Sequence, residues 1–191
     1  LAESFDWLVT VDPHLHRIAE LSQILPMPVA HVSAVSLLAE WIAREVPDAV
    51  LLGPDSESQQ WVAEVARIAG RPYEVLRKVR TGDRQVEVSL PESAAFRSGT
   101  PVILDDIASS GRTMVRAVER LRDAGASAPV CVVIHAVFAG SALNDIFAAG
   151  AARVVTTDTI AHRSNAVSVA GILAKAIPPS KQSHVQQEPS H

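Results

Sequence analysis

Short apolar runs alternate with longer amphipathic segments along most of the chain. The apolar runs suit strands that are covered on both faces of a parallel sheet, and they occupy residues 7–11, 29–32, 49–52, 101–104, 130–137 and 152–157. The amphipathic segments repeat apolar residues at helical spacing, and they occupy residues 18–24, 35–44, 61–68, 114–121, 142–149 and 167–177. Strands that alternate with helices predict an α/β domain with a doubly wound, mostly parallel sheet flanked by helices.

A different pattern is found between residues 73 and 90. Two strand-like segments, residues 73–76 and 86–90, flank a polar and basic stretch from Lys78 to Arg84 that has Gly82 at its tip. A polar turn with a glycine between two extended segments is typical of a β-hairpin. We therefore expect a hairpin with a mobile basic loop.

The two ends of the chain differ in character from its middle. Pro178 and Pro179 follow the last predicted helix, and residues 180–191 are polar and lack periodicity. Such a composition favours disorder, so we expect one domain over residues 1–179 and a disordered tail over residues 180–191. Leu1 is not an initiator methionine and a strand begins almost at once, so we expect a chain that starts within a longer protein or has been trimmed.

The composition fits one globular domain in a reducing compartment. The 191 residues are 48% hydrophobic and 20% charged, the formal net charge is -4, and no run of Lys and Arg marks a nucleic-acid surface. Cys131 is the only cysteine, which excludes a disulfide framework. No apolar segment has the roughly 18 residues that a membrane span needs. We expect a cytoplasmic protein that binds neither nucleic acid nor membrane.

Candidate chemistry concentrates where the apolar run 101–104 meets the helix 114–121. Two carboxylates follow the strand, and small hydroxylated residues surround a glycine before the helix: Asp105, Asp106, Ser109, Ser110, Gly111, Arg112 and Thr113. The free amides and the positive dipole end at a helix N-terminus favour a phosphate, and carboxylates accept hydrogen bonds from sugar hydroxyls. The segment therefore predicts a cradle for a phosphorylated sugar, and a phosphorylated ribose fits both halves.

A plainer interpretation of the same residues is also open. Asp105 and Asp106 would merely end the strand, and Ser109 or Ser110 would cap the helix, as such residues often do. This interpretation explains the caps but not the pair of carboxylates.

Polar clusters also follow two other predicted strands, at residues 12–14 and 55–58. Ligands of doubly wound sheets bind beyond the carboxyl ends of the strands. We therefore expect these two clusters and residues 105–113 to face one crevice, although they are far apart in sequence.

Four motifs, in this order, resemble those of the ribose-phosphate pyrophosphokinase family, also called phosphoribosyl pyrophosphate synthetases. They are a DxH strand end at residues 12–14, a PD loop at residues 54–55, a KxR hairpin at residues 78–80, and the DD and SSGRT segments within residues 105–113. Residues 135–138 and 155–159 are similar to further landmarks of the family. The resemblance covers residues 7–177 and implies a type I phosphoribosyltransferase-like fold.

The resemblance also implies an activity. It is transfer of the diphosphoryl group of ATP to the 1-hydroxyl of ribose 5-phosphate, which gives phosphoribosyl pyrophosphate and AMP, with Mg²⁺ as cofactor and a homo-oligomer as the assembly. Attack at the β-phosphorus concentrates negative charge, which positioned cations must stabilise. By match to the KxR motif, Lys78 and Arg80 are the candidates for that role, although a solvated hairpin turn would also explain them.

His14 and Asp55 are the candidates at the ATP phosphates and the metal. His14 matches the family's histidine that approaches both, and Asp55 is a candidate for a direct or water-bridged ligand because Mg²⁺ prefers oxygen. Each has a structural alternative. His14 could be a helix-start histidine with Asp12 as the cap, and Asp55 could belong to a Pro-Asp turn that caps the next helix.

The chain departs from the family pattern at three places. A glycine-rich segment after the PD loop is replaced by residues 56–61, which are bulkier and add a carboxylate, although Ser56 and Ser58 could still donate to phosphate oxygens. Ser109 replaces an acid and Arg112 replaces a glycine, which makes the cradle less negative and better suited to a phosphate. The family's N-terminal half has no counterpart here. We therefore expect the C-terminal part of a synthetase from a divergent branch, incomplete by itself.

Two other functions stay open at this point. A phosphoribosyltransferase would consume phosphoribosyl pyrophosphate through the same cradle, but it would need a hood for a base and would not need Lys78, Arg80 and His14 together. A non-catalytic regulatory homologue would keep the cradle and lose the diphosphate loop. The altered residues 56–61 favour the regulatory homologue, and the retained KxR motif opposes it.

Overall fold

The structure is a computed structural model that describes residues 2–15, 20–80, 86–89 and 95–179. Its strands are β1 Leu8–Val11, β2 Val29–Val32, β3 Ala49–Gly53, β4 Tyr73–Val75, β5 Arg77–Arg80, β6 Val86–Ser89, β7 Thr100–Ile107, β8 Val130–His135, β9 Arg153–Thr157 and β10 Asn165–Val167. Its α-helices are α1 Val35–Glu45, α2 Gln59–Ala69, α3 Ala95–Ser98, α4 Arg112–Asp123, α5 Ala142–Ala149 and α6 Ala170–Ala176. Short 3-10 turns occupy Leu21–Gln23 and Ser56–Ser58.

The central sheet has six strands in the order β10-β9-β8-β7-β3-β4. Every neighbouring pair is parallel, which confirms the predicted parallel sheet flanked by helices. The order reverses between β3 and β7, because β4 lies on the outer side of β3 while β8, β9 and β10 follow on the outer side of β7. A doubly wound sheet opens a ligand crevice at such a reversal.

Helices cover both faces of this sheet. α1 and α2 pack with one set of strand residues, and α4 and α5 pack with the alternate set. In β7, Val102 and Leu104 belong to the first cluster and Ile103 belongs to the second, and all three are fully buried. Because successive side chains of a strand point to opposite faces, a strand covered on both sides must be apolar without interruption.

Two smaller sheets lie beside the central one. β1 and β2 pair in parallel as a separate two-stranded sheet, and β5 pairs with β6 as an antiparallel hairpin. The hairpin is therefore confirmed, but its first arm was assigned to the wrong residues. Residues 73–75 form β4 at the edge of the central sheet, and buried Leu76 donates its N–H to Gly53 O at 2.8 Å. The KxR motif itself forms the first arm.

Other predicted boundaries shift for local reasons. Of the predicted helix 18–24, the described residues 20–24 contain the 3-10 turn Leu21–Gln23, which buries no residue and so gains little packing energy to stabilise a longer helix. The predicted helix 167–177 begins at Ala170 because Val167 pairs with Thr157 in the sheet. β7 runs on to Ile107, so Asp105 and Asp106 lie within the strand.

Some predictions fall outside the described residues. These are the tip of the basic loop at residues 81–85, part of the predicted helix at residues 16–19, and the tail at residues 180–191. Within the described ranges, no helix has the length and apolar character required to cross a membrane.

Candidate active site

A cleft of about 600 Å³ lies at the carboxyl ends of β3 and β7, where the strand order reverses. Its lining includes His14, His31, Asp55, Trp61, Asp105 and Asp106. These residues come from the turn after β1, from β2, from the PD turn and the start of α2, and from β7. The structure therefore brings together the three polar clusters predicted to share a crevice.

Asp105 and Asp106 place two carboxylates in this cleft. The N–H of Asp106 donates to Asp105 Oδ1 at 3.1 Å. Burial raises the pKa of Asp105 to about 7, and the negative charges of Asp106 and Asp55 act in the same direction. A ligand that donates hydrogen bonds or carries positive charge would relieve this repulsion, so the pair suits sugar hydroxyls or a cation.

The turn after β1 carries His14 to the acidic pair. His14 Nδ1 is hydrogen-bonded to Asp106 Oδ2, and the two side chains are 34% and 32% exposed. An ionised carboxylate only accepts hydrogen bonds, so Nδ1 donates in this contact. Two predicted site residues that lie 92 positions apart in the sequence are thereby joined.

Asp12 fixes the shape of this turn. Its backbone has φ of +32, a left-handed value that a non-glycine residue adopts only when its surroundings hold it there. Asp12 Oδ2 accepts the N–H of Ala34 at 2.6 Å, and Oδ1 lies 3.3 Å from His31 Nε2. The alternative interpretation made Asp12 a cap for a helix at His14, but its carboxylate holds the start of α1 instead.

Residues 107–114 enclose a smaller cavity of about 140 Å³ next to Asp105. Gly111 precedes α4 with φ of +70, which glycine adopts without strain. The segment after β8 is hydrogen-bonded to this loop. Phe138 N–H donates to Ala108 O at 2.8 Å, and Ala139 N–H donates to Ser109 O at 2.9 Å. Main-chain contacts from a neighbouring segment therefore hold this loop.

The polar side chains of the same loop are available to a ligand. Four of them are exposed and form no hydrogen bond within the described part of the chain: Ser109, Ser110, Arg112 and Thr113. Together with the unpaired amides of the first turn of α4, these hydroxyls and the guanidinium suit a phosphate group.

The PD turn after β3 is closed by its own contacts. Ser58 N–H donates to Asp55 Oδ1 at 3.3 Å, and Ser58 Oγ donates to Asp55 O at 2.6 Å. A Cβ on Gly53 would lie 2.5 Å from Ser58 Oγ, so the turn folds directly over the end of β3. The hydroxyl of Ser58 therefore donates within the turn and is not free to donate to a phosphate. The interpretation of Asp55 as a helix cap accounts for its Oδ1, which accepts the N–H of Ser58.

The KxR motif is described only as backbone. Lys78 and Arg80 lie in β5 opposite Val88 and Val86 of β6. Their side chains lie outside the described part of the structure, so their roles stay predictions.

The described residues contain no group of three or more His, Cys, Asp or Glu arranged to hold a metal ion. The cleft does present oxygen ligands from Asp55, Asp105 and Asp106. Mg²⁺ binds carboxylate oxygens and commonly keeps several waters or takes substrate phosphates as its remaining ligands. The lining therefore fits a magnesium ion that is held partly by a substrate.

Three further side chains in this region were not among the predicted site residues. His31 is the polar residue in the strand β2 and is 57% exposed beside Asp12. Trp61, the last residue of the bulky segment 56–61, lines the cleft. His135 ends β8 and bonds to the turn that carries His14. A polar residue at the carboxyl end of an apolar run was the available signal for His135.

The six-stranded parallel sheet, the crevice at its reversal and the phosphate-type loop before α4 together define an α/β domain of the type I phosphoribosyltransferase fold. The chain belongs to the family of the phosphoribosyl transferase domain, whose model matches residues 22–167.

Relatives within this family carry a more specific name. The chain is 34% identical over 174 residues to a ribose-phosphate pyrophosphokinase of Methanopyrus kandleri, covering 90% of this chain and 58% of that protein. It is 34% identical over 173 residues to a ribose-phosphate pyrophosphokinase of Methanothermobacter thermautotrophicus, covering 91% and 59%. The chain thus spans less than three fifths of the length of these curated relatives.

A solved structure is similar over the same extent. The phosphoribosylpyrophosphate synthetase of Mycobacterium smegmatis matches with a TM-score of 0.72 and 25% identity, covering 90% of this chain and 57% of that one. The resemblance to ribose-phosphate pyrophosphokinases that the motifs indicated is therefore confirmed, as is the fold that it implied.

Proposed function

We propose that this domain takes part in synthesis of phosphoribosyl pyrophosphate, by transfer of the diphosphoryl group of ATP to ribose 5-phosphate. The proposal rests on one observation. Residues of the DxH turn, Asp55 of the PD turn, and Asp105 and Asp106 of β7 all line the same cleft. The names of the relatives support the same reaction. The chain covers less than three fifths of the length of those relatives, so their activity enters here as a proposal.

The sugar would bind in two halves. Its 5-phosphate would lie in the cavity of residues 107–114, where the amides of α4, the hydroxyls and Arg112 are available. Its hydroxyls would donate to the carboxylates of Asp105 and Asp106. The 1-hydroxyl would then face the part of the cleft that is lined by His14 and Asp55.

In the reaction, the 1-oxygen attacks the β-phosphorus of ATP, and the bond from that phosphorus to the oxygen shared with the α-phosphate breaks. The electron pair of that bond leaves with AMP, and the proton of the 1-hydroxyl passes to water. Negative charge grows on the phosphoryl oxygens, and positioned donors reduce the barrier by meeting it there. We assign that role to Lys78 and Arg80, and we place His14 against the ATP phosphates.

Mg²⁺ would bind at Asp55 and near His14, with the remaining ligands from water and phosphate, and would neutralise charge on the diphosphoryl group. His14 Nδ1 is engaged with Asp106, which holds the imidazole beside the two carboxylates. The cation would offset the negative charges of Asp106 and Asp55, which together with burial raise the pKa of Asp105.

The test is incubation of the full-length protein with ATP, Mg²⁺ and ribose 5-phosphate. Formation of AMP that depends on the sugar phosphate supports the synthetase. If diphosphate is released from phosphoribosyl pyrophosphate only when a nitrogenous base is added, the result would support a phosphoribosyltransferase instead.

One observation favours a second candidate, a non-catalytic regulatory homologue. Ser58 donates into its own turn and Trp61 lines the cleft beside it, so the segment that holds the diphosphate in the family is occupied by side chains. Saturable binding of ribose 5-phosphate without any AMP formation would support this candidate.

A further inference from the structure

We propose that His135 is a positioning residue that fixes the turn bearing His14 against the sugar-binding loop. The inference deepens the proposed function and rests on it for its kinetic consequence. Its structural consequence, the placement of His14 on Asp106, can be measured separately.

The hydrogen bonds of Asp12 show how His135 connects the DxH turn to the central sheet. Within the described residues, Asp12 N–H donates to Val32 O at 3.0 Å, and its carboxylate contacts Ala34 and His31. All of these partners lie in residues 31–34, on the small β1–β2 sheet or at the start of α1. The hydrogen bond of Asp12 to the central sheet is the one from His135 Nε2 to Asp12 O, at 3.0 Å.

His135 is itself held on the sugar-binding side. It ends β8 in register with Ile107, which follows the acidic pair in β7. The main-chain O of His135 accepts the N–H of Ala108, the first residue of the loop, at 3.2 Å. One residue therefore joins the loop through its backbone and the DxH turn through its ring.

The other ring nitrogen sets the direction of these hydrogen bonds. Asp12 O can only accept, so His135 Nε2 donates, and in the neutral ring Nδ1 then accepts. Nδ1 lies 3.0 Å from Thr159 Oγ1. The Thr159 hydroxyl also lies 3.1 Å from Ile134 O, so its one proton can go to that carbonyl or to His135 Nδ1. The acceptor-only Asp12 O therefore sets the tautomer of His135, and Thr159 can donate to Nδ1 in that tautomer.

The consequence for His14 follows from chain geometry. Only Pro13, whose ring fixes its φ, separates Asp12 from His14, so a shift of the Asp12 carbonyl moves the imidazole that bonds to Asp106. A displacement of about 1 Å at a reacting group can lower a rate by about 100-fold. We therefore expect His135 to control turnover without touching substrate.

The experiment compares His135→Leu with His135→Gln in the full-length protein. Gln can present its Nε2 donor near the position of the lost ring Nε2, whereas Leu cannot donate at all. His135→Leu is expected to lower kcat by about 10- to 100-fold and leave the Kd for ribose 5-phosphate within about threefold. His135→Gln is expected to restore most of kcat. Val130→Ala, a buried change at the opposite end of the same strand, should lower Tm without lowering kcat.

The second readout does not depend on the reaction. In ¹H–¹⁵N spectra of the imidazoles, the His14 Nδ1–H bonded to Asp106 is expected to be present in the wild type and in His135→Gln, and lost in His135→Leu. Should His135→Leu not fold, Thr159→Val is expected to weaken the same signal, and Thr159→Ser to keep it.

The inference is overturned by an unchanged His14 signal in the folded variants that lack the donor, or by a Gln variant that restores no more signal than Leu does. If the wild type forms no AMP from ribose 5-phosphate, the proposed reaction fails while the imidazole spectra still decide the role of His135.

Discussion

Two adjacent carboxylates near the end of β7 repel each other, and half-buried Asp105 is the one whose pKa is shifted. Burial and the charge of Asp106 raise the pKa of Asp105 from 3.8 to about 7. Between these values the folded protein keeps a proton that the unfolded chain has lost. The contribution of Asp105 to stability therefore falls as the pH rises from about 4 to about 7, and it stays low above that window.

Asp105→Asn isolates this effect because the amide stays neutral at every pH. Relative to the wild type, the free energy of unfolding of the variant is expected to rise between pH 4 and pH 8, by on the order of 1–3 kcal/mol. Urea unfolding with EDTA present, at both pH values, measures the difference. An equal difference at the two pH values would contradict the assigned pKa.

Gly111 is tested by comparison with another left-handed glycine. A Cβ on Gly111 would lie 3.2 Å from Ala142 Cβ and 3.4 Å from Ile146 Cδ1, whereas nothing lies within 4 Å of a Cβ on Gly125, whose φ is +76. Gly111→Ala is expected to raise the Kd for ribose 5-phosphate about tenfold, equivalent to roughly 1.4 kcal/mol. Isothermal titration calorimetry measures both variants.

Gly125→Ala is the matched control, because it strains the backbone by a similar amount at a site away from the cradle. Both variants are expected to lose about 1–2 kcal/mol of unfolding free energy. Weakened ribose 5-phosphate binding in Gly125→Ala as well would assign the effect to general destabilisation rather than to the loop.

At the scale of elements, the parts that the sequence predicted best are those with one dominant local signal. α5 spans Ala142–Ala149, the range predicted for it, and ends at Gly150; Gly70 closes α2 with a left-handed φ, a conformation that favours glycine at a helix end. The first arm of the hairpin was predicted at the wrong residues because the extended pattern of Tyr73–Val75 suits pairing with either β3 or β6. Only the tertiary structure decides which strand it pairs with.

The candidate site was predictable to a similar degree. Residues 105–113 were found because a strand, a glycine and a helix start are contiguous in sequence. The tie between His135 and Asp12 spans 123 positions and leaves no local pattern, so it had to come from the structure. The closure of the PD turn by Ser58 was missed because the same serine equally suits a cap or a phosphate donor.

The hairpin β5–β6 carries the next prediction. Lys78→Ala is expected to lower kcat for AMP formation by about 100-fold or more, since a lost donor to developing charge has an effect of that size. The Kd for ribose 5-phosphate should change less than about threefold. Steady-state kinetics and direct binding measure the two quantities.

Arg77→Ala in the same strand is the control for Lys78→Ala. A change at position 77 removes the same amount of positive charge from the strand without removing the predicted donor. Equal losses of kcat in both variants, or equal losses of kcat and affinity in Lys78→Ala, would refute the role assigned to Lys78.

At the scale of the whole molecule, a ligand in the cleft would bridge two sheets that the His14–Asp106 and His135–Asp12 hydrogen bonds already connect. The DxH turn belongs to the β1–β2 sheet, whereas the PD turn and the cradle belong to the central sheet. Binding to both requires their relative placement in the folded state. An unfolded chain, in which residues 12–14 and 105–113 are far apart, has no such site.

Ribose 5-phosphate is therefore expected to stabilise the fold by mass action. At a concentration of 100 times Kd the gain is about 2.7 kcal/mol, and at about 2–4 °C per kcal/mol for a chain of this size the Tm should rise by about 5–10 °C. Differential scanning fluorimetry measures the shift, with ribose and inorganic phosphate as separate controls. Because each control fills only one half of the site, both should give smaller shifts. A shift with phosphate as large as that with ribose 5-phosphate would show that the carboxylates of Asp105 and Asp106 do not bind the sugar, and it would favour the capping interpretation of that pair.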